Sequence, residues 1–409
     1  MLNVVYITDE NYAMPTCVSI TSLIANNDSE EIDIYIIADN ISAGSEHILE
    51  SLSTDRVTLK IIKFDSENYA AVAERIATDK NYVHVSRSAL LKFDIVHLLP
   101  ELKKVLYLDS DIIVQGNIGE LYRVELGKYY LAAVKEMGDK ENKDGYSSIA
   151  AKLGLKEHHY FNSGVLLFNL TAFRAEKLAA KLIEYRKNGQ NYFMDQDAFN
   201  VICRSNWLHL PYRYNFRTAI LDCYDVNEIK ALFECMNYTN AEELIASQII
   251  LHLSDRLKPW QYDIPWFTRI FLHYYALTPY ANKKLTFRSP LKFLYDRIQE
   301  RDKTRYPKFP YEQIPKGASI ILYGAGKVGR EIRQQIKYTA YCQIVAWVDG
   351  NYKTYADSSD NVENPDVINE REYDYILLSI CDEKAKSEVE ALLEEMGIAK
   401  ARIVEVSVP

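Results

Sequence analysis

The sequence has no run of about 20 consecutive apolar residues, the length a helix needs to cross a bilayer, so no helical membrane span is expected. No basic-then-apolar leader opens it: Asn3-Val4-Val5-Tyr6-Ile7-Thr8 already reads as a first strand, and a cytoplasmic location is expected. Cysteine is scarce and unpatterned. Cys17, Cys203, Cys223, Cys235, Cys342 and Cys381 include no C-x-x-C pair, which excludes a zinc cage or redox motif of that kind and points to reduced, mostly buried thiols. Positive charge is not in excess either. With 48 basic and 57 acidic side chains and a net charge of −9, nothing global suggests a nucleic-acid partner. There is no internal repeat and no low-complexity tract.

What is present is an ordinary globular composition, 48% apolar and 26% charged, over 409 residues, enough for two or three domains. Tyrosine stands out at 31 residues. A tyrosine joins an apolar body to a polar tip, so both core packing and binding surfaces use it. Over the first 260 residues, strand-like segments (Val4 to Ile7, Asp33 to Ala38, Val57 to Phe64, Val105 to Leu108, Tyr129 to Val134, Gly164 to Asn169) alternate with segments of helical spacing, such as Leu178, Leu182 and Tyr185. Alternation of this kind predicts a doubly wound, mainly parallel α/β sheet.

The richest ten residues are Val105-Leu106-Tyr107-Leu108-Asp109-Ser110-Asp111-Ile112-Ile113-Val114. Residues i and i+2 of an extended chain point to one side, so Asp109 and Asp111 are expected to converge at the carboxyl end of a buried strand, where open α/β sheets bind ligands. Paired carboxylates suit a hard divalent cation that also holds a phosphate. A strand-ending turn with two solvated aspartates accounts for the spacing equally well.

Four further segments decide between those readings: Thr8-Asp9-Glu10-Asn11-Tyr12; Tyr160-Phe161-Asn162-Ser163-Gly164 with the apolar run after it; Met194-Asp195-Gln196-Asp197; and His252-Leu253-Ser254-Asp255-Arg256-Leu257-Lys258-Pro259-Trp260. With the Asp-x-Asp strand they resemble glycosyltransferase family 8, the retaining transferases that use UDP-sugars, in the family's order and over about residues 1–262. The resemblance implies a GT-A-like fold and a cation, Mn²⁺ or Mg²⁺, held by Asp109, Asp111 and His252. It implies that Asp9, Asn11 and Tyr12 hold the uridine, Lys258 the diphosphate, and Asn162, Asp195 and Gln196 the donor sugar, with Gln196 near the anomeric carbon. Lys92 stands where family members often carry arginine; lysine keeps the charge without the two-pronged fork. Asp255 departs from a glycine common there. The acceptor implied is a saccharide or glycan, as in lipopolysaccharide, capsule or a glycoprotein; sugar, linkage and oligomeric state stay open.

Residues 260–280 hold eight aromatics, and Lys283 to Lys308 carries nine basic against three acidic side chains. This stretch suits either peripheral contact with an anionic bilayer surface, through 260–308, or a helical subdomain whose aromatics pack inward, the favoured reading. Pro307, Pro310 and Pro315 mark a linker. The expected division is a catalytic domain over 1–262, an aromatic and basic segment with linker over 263–315, and a Rossmann-like domain over 316–409. In the last, Gly324-x-Gly326-x-x-Gly329 follows a strand and opens a helix, with Asp349 at the end of a second strand. That is the context of a dinucleotide fingerprint, for NAD(P) or another nucleotide. Yet barely one mononucleotide half fits in the remaining chain, so a structural or protein-contacting role ranks above it. Two rival functions follow: an NAD(P)-dependent oxidoreductase driven by this domain, and a non-catalytic UDP-sugar sensor.

Overall fold

The computed structural model describes residues 1–64, 87–136, 150–156, 159–188, 192–223, 241–254, 257–264, 267–288, 307, 309–355, 361–380 and 382–406. They pack as two units, Met1–Arg256 with Ile270–Lys284, and Leu257–Arg269 with Leu285–Pro409.

The first unit is built on a seven-stranded sheet in the order β3-β2-β1-β4-β7-β6-β8. Its strands are β1 Leu2–Asp9, β2 Ile32–Asp39, β3 Val57–Phe64, β4 Lys104–Leu108, β6 Leu131–Lys135, β7 Phe161–Asn169 and β8 Trp207–Leu210. Four neighbouring pairs are parallel and two, both involving β7, are antiparallel, so the mainly parallel expectation holds. Residues 105–108 of β4 and 165–168 of β7 read as unbroken apolar runs because both faces are covered. Val105, Leu106, Leu108, Val165, Leu166 and Leu167 have no exposed surface. Truncating one of them to alanine costs about 2–5 kcal/mol.

A smaller three-stranded sheet, β5-β10-β9, was not foreseen. It joins β5 Ile112–Val114, β9 Phe216–Arg217 and β10 Ile250–His252, each too short for periodicity to reveal. Its position matters because the chain leaves β4 at Leu108, turns through Asp109-Ser110-Asp111 and enters β5. The two aspartates therefore sit in a turn between two sheets rather than on a strand. The expectation of convergence by strand alternation is corrected: the turn aims them.

That turn is anchored from below. The Ser110 hydroxyl donates to the Ile7 carbonyl (2.7 Å) and accepts from the Thr16 hydroxyl (2.9 Å). Thr16 lies on helix α1 (Ala13–Ala25), whose residues from Pro15 to Leu23 are all buried. Small and β-branched side chains let this helix approach β5, where the Ser22 hydroxyl takes the Val114 N–H (2.9 Å).

In the second unit β11 Ser319–Tyr323, β12 Gln343–Val348, β13 Tyr375–Leu378 and β14 Ile403–Glu405 form an all-parallel sheet, β12-β11-β13-β14. Helices Lys327–Thr339 and Glu383–Glu395 accompany it, and the side chain of Asp382 caps the latter by accepting from the Ala385 N–H (2.8 Å). Apolar clusters centred on Leu322 and on Ile376 form separately within this unit. No described helix is long and apolar enough to cross a membrane.

Candidate functional site

Asp109, Asp111 and His252 converge. One potential ligand atom from each lies within 4.8 Å of the others, the only such group of three or more acidic, histidine or cysteine side chains among the described residues. His252 Nε2 stands 3.3 Å from Asp111 Oδ1 and 3.6 Å from Asp109 Oδ2. His252 is buried at the end of β10, which pairs with β5 so that His252 faces Ile112. A two-carboxylate, one-imidazole set with oxygen in the majority fits Mn²⁺ or Mg²⁺.

Gly164 makes the approach possible. A Cβ there would lie 2.2 Å from His252 Cε1 and 2.8 Å from Asp109 Oδ2, so any larger residue pushes the ligands apart. Its carbonyl takes the Asp109 N–H (2.8 Å), fixing the backbone of the turn.

The other oxygen of Asp109 is held from the core. Oδ1 accepts from the Tyr107 hydroxyl (2.5 Å) and lies 3.0 Å from Lys92 Nζ. Burial and then the Asp109 charge hold the Tyr107 phenol well above its ordinary range. Lys92 also reaches Asp195 Oδ2 (2.9 Å) and the Ser163 carbonyl (3.3 Å), using the three donors an ammonium has. Burial pulls its pKa down, but the charges of Asp109 and Asp195 outweigh it and keep it above the usual lysine value. Lys92 thus ties Asp109 to Asp195, which also accepts from the Ser163 hydroxyl (2.9 Å).

Asp195 and Gln196 open helix Met194–Ile202, which brings both to the Asn162 segment of β7. The Asn162 amide donates to Gln196 Oε1 (3.1 Å) and to Glu136 Oε2 (2.9 Å). Gln196 Oε1 also takes the Ser163 N–H (3.0 Å). Glu136, just past β6, is buried, ion-paired with Arg217 and 3.4 Å from Gln196 Nε2. Asn215 bridges the two halves, donating to Asn162 Oδ1 (2.8 Å) and presenting Oδ1 to His252 Nδ1 (3.0 Å). Sequence reading missed Glu136, Asn215 and Arg217, which lie in no recognisable pattern, and gave Gly164 and Tyr107 no role. For Gly164 the signal existed: a glycine inside an apolar strand marks a close approach.

Asp9 and Tyr12 sit at the carboxyl end of β1, where Asp9 Oδ1 accepts the Tyr12 N–H (3.0 Å) and starts α1. Asn11 is exposed and Tyr12 half-buried. Glu10 secures the same edge, accepting from the Ser42 N–H and the Ser42 and Ser45 hydroxyls; the backbone bond from Ser42 leads in holding its carboxyl low. Lys258 belongs to the second unit, with Nζ 5.7 Å from the centre of the Trp260 ring. Asp255, and most of the basic segment, lie outside the described residues.

The glycine-rich loop of the second unit has the expected strand-loop-helix context but is bonded to itself. Asp349 Oδ2 accepts the Ala325 N–H (2.7 Å) and Oδ1 the Asn351 N–H (2.8 Å). The Gly324 carbonyl accepts from Trp347 Nε1 (2.8 Å) and the Ser379 hydroxyl (3.0 Å). A Cβ on Gly329 would meet that carbonyl at 1.9 Å, so Gly329 serves close helix–strand packing, and Gly324 adopts φ +106°. Gly326 has open space beside it.

Comparison with known proteins bears on both units. The model of Glycosyl transferase family 8 matches residues 3–264, well over half of the chain. The chain belongs to this family. As a family 8 member it is a glycosyltransferase, and residues 317–404 match a separate family described as C2185-like, N-terminal. A lipopolysaccharide 1,2-glucosyltransferase of Escherichia coli K12 is 29% identical over 267 residues, 63% of this chain and 72% of that protein. A Haemophilus influenzae protein named as a glycosyltransferase is 26% identical over 221 residues, 53% of this chain and 63% of that one. Among solved structures, the galactosyltransferase LgtC with donor and acceptor sugar analogues shares the fold at a TM-score of 0.55 and 24% identity, covering 68% of this chain and 96% of LgtC. The first unit accordingly has the GT-A-like α/β architecture expected.

Proposed function

We propose that this family 8 member transfers a hexose from a UDP-sugar to a saccharide or glycan acceptor, with retention at the anomeric carbon and a divalent cation between Asp109, Asp111 and His252. The observation that carries the reading is the convergence of those three side chains beneath Gly164. When bound, the cation supplies Lewis-acid charge to the departing diphosphate, so departure needs no proton. Asp9, Asn11 and Tyr12 line the strand end that takes the uridine. Asn162 and Asp195 orient the sugar through its hydroxyls, with Asp195 held in place by Lys92 and the Ser163 hydroxyl.

Gln196 Oε1 accepts two N–H groups, from Asn162 and Ser163. An amide oxygen with both lone pairs so engaged is a weak nucleophile. This supports attack by the acceptor on the face the leaving group departs from, with Gln196 stabilising positive charge on the sugar ring.

The glucosyltransferase relatives make lipopolysaccharide or another cell-surface glycan the acceptor class we favour, with a cytoplasmic location as part of the same proposal. Over 260–308 we favour inward packing of the aromatics over peripheral membrane contact, because Trp260, Tyr262, Phe271, Tyr274, Tyr275 and Tyr280 are buried. For 316–409 we favour a structural or protein-contacting role over NAD(P) binding, because the loop N–H of Ala325 is already taken by Asp349.

A screen of UDP-sugars for cation-dependent hydrolysis, which needs no acceptor, tests the reading. Turnover of at least one donor in wild type, lost on chelation and absent from Asp111→Asn, is expected; UDP binding without any transfer or hydrolysis would favour a sensor.

A further inference from the structure

Five buried side chains, His252, Asn215, Asn162, Gln196 and Glu136, form one hydrogen-bonded chain from the carboxylate cluster to the sugar pocket. Its polarity is dictated by the backbone. The Gly164 N–H (2.9 Å) can only donate, so it turns Asn162 Oδ1 toward itself and sends the Asn162 amide protons to Gln196 and Glu136. The Ser163 N–H likewise fixes Gln196 Oε1 as an acceptor.

With Asn162 Oδ1 set as an acceptor, Asn215 must turn its NH₂ to it (2.8 Å) and its Oδ1 to His252 (3.0 Å). His252 must then carry its proton on Nδ1. In the neutral ring Nε2 is left with a lone pair, and Nε2 is the nitrogen that faces Asp109 and Asp111. Asn215 itself is placed by the three-residue turn Tyr212–Tyr214, whose Tyr212 carbonyl takes its N–H (3.0 Å), and by pairing of β9 with β10 beside His252.

On the reading that Asp109, Asp111 and His252 hold a divalent cation, we infer that Asn215 is a positioning residue which sets the tautomer of His252 for metal ligation and locks it to the orientation of the donor-sugar amides of Asn162 and Gln196. The cation site and the sugar pocket share one register of hydrogen bonds, started by the Gly164 and Ser163 amides. Partners of ligating histidines of this kind govern metal affinity by about 10–100-fold.

Two substitutions separate the halves of the relay in the full-length chain. Asn215→Ala removes the acceptor for His252. Asn215→Asp keeps that acceptor at the same size but opposes Asn162 Oδ1 with a second oxygen. Titration with Mn²⁺ alone, in the absence of sugar nucleotide, is expected to show affinity weakened by about 10–100-fold in Asn215→Ala and near wild type in Asn215→Asp. UDP-sugar hydrolysis at saturating Mn²⁺ is expected to fall in both. In metal-free protein the ¹⁵N spectrum of labelled histidine should show a protonated Nδ1 of His252, donating to Asn215, in wild type and in Asn215→Asp. Unchanged Mn²⁺ affinity in Asn215→Ala, or an unprotonated Nδ1 of His252 in wild type, overturns the inference while leaving the cation site standing. Absence of Mn²⁺ binding by wild type removes the cation reading itself, and the inference with it.

Discussion

Both units carry polar residues at the carboxyl ends of parallel strands, yet they use them in opposite ways. In the first, Asp109, Asp111 and His252 present ligand atoms to one another across a gap kept open by a glycine. Their supporting bonds come from behind: Tyr107 and Lys92 on Asp109, Asn215 on His252. In the second, the glycine-rich loop directs its groups inward, with Asp349 on the Ala325 N–H and Trp347 and Ser379 on the Gly324 carbonyl. A strand end becomes a ligand site when its charges are braced from outside the cluster, and a structural turn when they satisfy one another.

Substitutions at the two edges break that contrast by different amounts. Asp111→Asn should remove a cation ligand without altering volume. UDP-sugar turnover is expected to fall by more than about 1,000-fold, since a bound metal supplies several kcal/mol of charge stabilisation. An unchanged circular dichroism spectrum would exclude unfolding as the cause. Next, Gly164→Ala, which sets a methyl 2.2 Å from His252 Cε1, should cost about 100-fold in turnover by displacing ligands. Mn²⁺ affinity measured by titration should fall with it.

Lys92→Met leaves Asp109 and Asp195 facing each other in the core without their shared cation. Breaking a buried pair in this way costs about 3–5 kcal/mol, readable as a lower urea midpoint. In the second unit the contrast predicts stability effects alone. Gly329→Ala drives a Cβ against the Gly324 carbonyl and should destabilise by about 1–3 kcal/mol, with UDP-sugar hydrolysis unchanged. The smallest effect is Asp349→Asn, expected to cost about 1 kcal/mol through the weakened bond to the Ala325 N–H. A clear heat of NAD(H) binding to the full chain, lost in that variant, would overturn the closed-loop reading.

Sequence patterning recovered β1 to β4, β6 and β7 and, in the second unit, β11 and β12, because long apolar runs and strand-helix alternation are local signals. It failed on β5, β9 and β10, two or three residues each, and on the four-residue edge strand β8. That failure carried over to the turn at Asp109-Ser110-Asp111, whose convergence was expected from an extended strand end because the short sheet receiving Ile112 was invisible. Asn215 and Glu136 were unreadable for a related reason. An asparagine and a glutamate in ordinary surroundings gain meaning only from what a distant strand brings beside them.

By itself the sequence determined the order of motifs that places the chain in its family, and it singled out two aspartates and a histidine as candidate cation ligands. Tertiary structure alone decided how those residues are aimed. Asp109 and His252 are separated by 143 positions along the chain, and their approach depends on a glycine in a third segment and a β5–β10 pairing. Composition and spacing are properties of neighbours in sequence, whereas a hydrogen-bond register joining β7, β10, a helix and the residues beside β6 and β9 exists only once the backbone has folded and its amides have fixed the polarity of every side chain that follows.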